Sequence, residues 1–224
     1  MNIKITKEQH ERLCIEDYEE YLFGSQLHGI ANENSDFDYL RVISDAIYES
    51  FNSLGRFLPN IHSFQYTESK EKQYLWMTES QFWRNFFSGE GNLHADIILF
   101  SGKFENPLHL CYSYKVIKGY IGTAKRDLKL HGSWDKKRFH AVRSFYMAEK
   151  LMKKEIPTVK DIKKLYKGYL PTTEELKKKE VELRSILNEM LNKGEIDLYP
   201  NFSSDDDLIQ LLLNANNIKE FKYD

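Results

Sequence analysis

The chain has 224 residues, of which 41% are hydrophobic, 14% aromatic and 29% charged. That composition builds a sizeable core and excludes a disordered tail or a coiled-coil rod, and no apolar run is long enough to span a bilayer. The net charge of −2 hides an asymmetry: residues 1–112 sum to −8, residues 113–224 to +6, and 115–167 hold 16 basic residues against 5 acidic.

Thr6-Lys7-Glu8-Gln9 is a capping-box pattern and predicts a short helix reaching about Cys14. Tyr18 to Phe23 is aromatic-rich and reads as a strand ending at Gly24-Ser25, with a helical turn over 26–31. After the loop at 32–35, Asp36 to Ser44 alternates and is a second strand. Residues 45–56 are loop or short helix. His62 to Met77 reads as a strand or hairpin, with the polar run at 68–72 as its turn. Thr78 caps a helix to Phe87. Asp96 to Phe100 is a short buried strand by composition. Helices follow at about 109–129, 135–155, 158–167, 172–193 and 204–215. The expected architecture is α+β: a mixed α/β core over residues 1–106, then a mostly helical region over 107–224.

Cys14 and Cys111 are too few and too scattered for a disulfide framework or a thiolate metal site. The opening MNIKITKEQHERL has no apolar h-region, so the expectation is a cytoplasmic protein with no membrane partner.

The chemistry concentrates in GSQLHGIANENSDFD, residues 24–38. Asp36 and Asp38 are two apart on a predicted strand, so both carboxylates take one face and Phe37 points into the core. Side by side they repel, a cost offset by a divalent cation, and oxygen-only donors favour Mg²⁺ or Mn²⁺. A strand ending in Gly24-Ser25 and starting a helix presents backbone N–H groups and a hydroxyl to phosphate oxygens. Gly29 would let the backbone pass close to a ligand. Phosphate cradle and carboxylate pair in this order suit phosphoryl or nucleotidyl transfer. A third carboxylate on a neighbouring strand would complete the set, and Asp96, opening DIILF, is the candidate.

These residues resemble the signature of the DNA polymerase beta nucleotidyltransferase superfamily. Within it they are similar to predicted nucleotidyltransferases of bacteria and large phages, some found beside RNA-repair genes. Gly24, Ser25, His28, Gly29, Ser35, Asp36 and Asp38 carry the likeness. Phe82 to Phe100, with Gly91, Asn92 and Asp96, extends it, although the family usually has Glu at the Asp96 position. Lys136, His140 and Arg143 reproduce a family Lys-x-x-x-His-x-x-Arg helix, and their spacing gives them one helical face.

The resemblance implies a polymerase-beta-type mixed sheet with flanking helices. It implies Mg²⁺ or Mn²⁺ held by Asp36, Asp38 and Asp96. Gly24, Ser25, Gly29, Ser35, Lys136, His140 and Arg143 would bind an NTP such as ATP. The implied reaction moves a nucleoside monophosphate to a hydroxyl, most naturally on RNA reached through the basic 115–167 region. The alternatives are a degenerate nucleotide- or RNA-binding module, a phage accessory or antitoxin-like module, or transfer to a protein or small molecule.

Overall fold

A computed structural model describes residues 3–33, 35–53, 63–89, 92–131 and 135–200. They form a five-stranded mixed sheet and ten helices, an α+β arrangement. None of these helices is long and apolar enough to cross a membrane. The expected helix at 204–215 lies outside the described residues.

The strands are β1 (Ile3–Lys4), β2 (Glu19–Phe23), β3 (Phe37–Ile43), β4 (Ser63–Thr67) and β5 (Lys72–Thr78), in the spatial order β1-β4-β5-β3-β2. β3 runs parallel to β5, while β4 and β5 are an antiparallel hairpin turning at the polar run the sequence marks. The first helices are α1 (Lys7–Leu13), α2 (Gly24–Leu27), α3 (Asp45–Ser53), α4 (Glu79–Ser88) and α5 (Leu93–Phe100). The remainder are α6 (Pro107–Cys111), α7 (Tyr114–His131), α8 (Asp135–Met152), α9 (Val159–Leu165) and α10 (Thr173–Asn192).

The chain divides into two compact units, one built on Met1–Leu22 and Asp36–Arg84, the other on Phe23–Ser35 and Asn85–Asn201. In the sheet unit, alternation sends Tyr39, Ile43, Phe64, Tyr66, Tyr74 and Trp76 to one face, where Leu13 of α1 and Tyr48 of α3 close the core. Arg41 shares that face. Its guanidinium lies 4.1 Å from the Tyr74 ring and 2.7 Å from Glu20, so a cation among aromatics is neutralised. Thr6 and Gln9 form the expected capping box on α1. Thr78 Oγ1 accepts from Gln81 N at the start of α4.

In the helical unit α7, α8 and α10 pack on one another around Ile117, Tyr120, Ile121, Met147, Leu151, Leu183 and Leu187. Residues 93–100 are a helix here, not the expected strand. Six of its eight residues are buried, so the run has no polar face to give it a period. A short apolar run of that kind reads alike as buried strand or buried helix.

Candidate active site

In the sheet unit, Asp38 sits one residue into β3, opposite Gln73 in the parallel register, and Asp36 immediately precedes the strand. Asp36 is exposed and Asp38 half-buried. Alternation puts Asp38 on the face of Leu40, away from the aromatic core. Phe37 does not enter the core as expected: it is 40% exposed and stacks on Tyr39, at the end of the sheet where its strand partner is the exposed Lys72. Phe37 N donates to Glu71 O at 2.7 Å, which ties the first residue of β3 to the residue just before β5.

Two carboxylates are hard oxygen donors, and Asp36 is exposed, so the pair fits Mg²⁺ or Mn²⁺; the Gln73 amide oxygen beside Asp38 accepts from Gln65 Nε2 at 3.0 Å. Among the described residues, no group of three His, Cys, Asp or Glu side chains is gathered closely enough to hold a metal ion.

The sheet unit holds another carboxylate group that the sequence does not announce. Burial pushes the Glu79 carboxyl up, and the charges of Asp45 and Glu19 push it further. Asp45 caps α4 by accepting from Ser80 N (3.2 Å) and Ser80 Oγ (2.6 Å). Glu79 follows the far end of β5, six register positions along from Gln73, which is about 20 Å of strand. It is therefore out of reach as a third ligand beside Asp38.

In the helical unit, Gly24 opens α2 with φ +67, a backbone conformation that glycine adopts without strain. Ser25 is half-buried, and its hydroxyl makes no hydrogen bond among the described residues. The His28 ring is buried behind this turn. Its Nδ1 lies 2.7 Å from the Gly24 carbonyl oxygen, and its Nε2 lies 3.1 Å from Asp96 Oδ2, an ion-pair distance off the hydrogen-bond axis. Arg143 Nη1 approaches His28 Nδ1 at 3.0 Å, and Tyr120 donates to Asp96 Oδ1 at 2.6 Å. Burial alone would raise the Asp96 carboxyl, but His28, Arg143 and Tyr120 together hold it below its usual value.

Four expectations change on this geometry. Asp96 is not at the rim of a strand; it lies in α5, 4% exposed, with its oxygens engaged by Tyr120 and His28. Gly29 does not make room for a ligand: a Cβ there would stand 2.8 Å from Val159 Cγ1 and 2.9 Å from Lys163 Cε, so the glycine admits α9. Ser35 closes its own loop, accepting from Asn32 N and donating to Asn32 Oδ1.

Lys136, His140 and Arg143 do not act as one cationic face. Lys136 is exposed, while Arg143 turns in to His28. His140 lies 3.8 Å from the buried Asp127, which also takes Lys137 at 3.1 Å. Burial, with Arg143 and Lys137 nearby, pulls the His140 pKa down to about 4, so at neutral pH it carries no charge to offer a phosphate. The reason lies in packing: α8 is covered by both α7 and α10.

Within the helical unit, the structure joins the Gly24 turn to Asp96 and Arg143. Tyr120 and His28 tie Gly24 to Asp96 and Arg143, although 115 residues separate His28 from Arg143. His28 is visible in the motif; nothing in the sequence marks Tyr120. No protein-family model matches the chain, and no curated protein matches it significantly.

Proposed function

We propose that the protein is a divalent-metal-dependent nucleotidyltransferase of the polymerase beta type, transferring a nucleoside monophosphate from an NTP to a hydroxyl, with RNA as the acceptor. The observation that carries the reading is the Asp36/Asp38 pair at the head of β3, with Asp36 exposed and both residues on the face away from the aromatic core. Asp36 and Asp38 would hold Mg²⁺ or Mn²⁺. When bound, the ion supplies charge neutralisation on the phosphates and a lowered pKa at the attacking hydroxyl. The Ser25 hydroxyl and the first N–H groups of α2 donate to the triphosphate oxygens. His28 holds the Gly24 carbonyl and so fixes the turn that presents them. As the acceptor oxygen bonds to the α-phosphorus, the bond to pyrophosphate breaks and the hydroxyl proton passes to water.

A second reading is a nucleotide-binding module without turnover. It is favoured by one observation: Asp96, the expected third carboxylate, is spoken for inside the helical unit. Incubation with each α-labelled NTP, Mg²⁺ and a single-stranded RNA separates the two. Label on RNA with release of pyrophosphate, lost in Asp36→Asn/Asp38→Asn, supports the enzyme. Metal-dependent nucleotide binding without pyrophosphate release supports the module.

A further inference from the structure

α7 carries Gly119 and Gly122 in its interior, where glycine weakens a helix relative to alanine. Gly119 has a packing reason: a Cβ there would stand 2.6 Å from the Gly89 carbonyl oxygen. Gly122 has none, since a Cβ there would meet no atom within 4 Å. The space above Gly122 belongs to a cavity of about 350 Å³ in the helical unit.

Its walls carry Lys115, Lys118 and Arg126 from α7 and Arg184 from α10, and no carboxylate among the described residues lines it. Lys115, Lys118 and Arg126 have no carboxylate partner among the described residues. Arg184 donates through Nε to Glu180 at 2.9 Å, which leaves its terminal nitrogens for a second acceptor. On α7 the spacing 115, 118, 122, 126 returns every three or four residues, so one helical face presents the three cations around the glycine gap.

A site lined by cations, two hydroxyls and bare backbone suits a compact polyanion rather than an apolar cofactor. Guanidinium forks match phosphate oxygens in pairs, and lysines add point charge. We propose that this cavity between α7, α10 and the end of α4 is a phosphate site, taking adjacent phosphate groups of a nucleic-acid strand or of a free triphosphate. It uses none of the residues of the active-site reading and stands or falls apart from it.

The test uses the full chain without divalent metal. Fluorescence anisotropy with a labelled single-stranded oligoribonucleotide reads the strand, and calorimetry with inorganic triphosphate reads the free anion. Gly122→Leu fills the cavity without changing charge, Arg126→Gln removes a wall cation, and Lys129→Gln removes an exposed cation of the same helix outside the cavity. Gly122→Leu and Arg126→Gln are each expected to weaken binding about tenfold or more, and Lys129→Gln less than about twofold. Loss with the oligoribonucleotide assigns the strand; loss with triphosphate alone assigns the free anion. If Gly122→Leu lowers the melting temperature, Arg126→Gln against Lys129→Gln decides. Wild-type binding of both probes by a folded Gly122→Leu overturns the proposal, as does equal weakening by Arg126→Gln and Lys129→Gln.

Discussion

Ser25 offers a half-buried hydroxyl with no hydrogen-bond partner among the described residues, just past the left-handed Gly24. Ser25→Ala should therefore leave the melting temperature unchanged while weakening triphosphate binding by about 1.5–3 kcal/mol, one hydrogen bond to a charged oxygen. Calorimetry on a nucleotide checks it; unaltered affinity would move the triphosphate elsewhere. The histidines predict a pH dependence. Burial pulls His94 down to about 4, while in the unfolded chain it titrates near 6.5. The unfolded state then binds more protons between those values, so stability falls as pH drops from 6.5 towards 4. His94 alone should cost about 2 kcal/mol at pH 5. Urea midpoints at pH 7 and pH 5 measure the loss, and His94→Gln should flatten it. Such shifts are not legible in sequence, because His94 and His140 differ from an exposed histidine only in what covers them.

At the scale of the element, helices with a polar face and a cap are the legible ones. Thr172 and Glu175 form a capping box on α10 as Thr6 and Gln9 do on α1. Thr172→Ala should lower stability by about 1 kcal/mol, read as a shift in the urea midpoint. α5 is the element the sequence misleads on, because a helix buried on nearly every side loses the period that would identify it. Its one carboxylate, Asp96, then becomes an internal counter-ion. Asp96→Asn strips Arg143 and His28 of their anion in the interior and should cost about 3–5 kcal/mol. Because its folded pKa is depressed, the contribution of Asp96 is present above its unfolded value near 4 and is lost as pH falls below it. Denaturation of Asp96→Asn at pH 7 reads the effect; a change under about 1 kcal/mol would mean the network carries no net stability.

Across the whole molecule, the charge asymmetry of the sequence marks the helical half as the basic one, yet it does not say which cations are available. Arg143 and Lys137 are spent on Asp96, His28 and Asp127, whereas Lys115, Lys118 and Arg126 face a cavity. That sorting depends on which helix faces pack, which spacing alone leaves open. The Asp-x-Asp strand is different: alternation suffices to give Asp38 its face, and the strand starts within one residue of its expected position.

The most direct measurement is the thermal shift produced by Mn²⁺ with an NTP, in the wild type and in Asp36→Asn/Asp38→Asn. If the pair holds the metal-bound nucleotide, the wild type gains melting temperature only when metal and nucleotide are both present. The double variant, which loses two mutually repelling charges, melts no lower than wild type without ligand and gains nothing with it. An equal ligand-induced shift in both proteins would contradict the assignment.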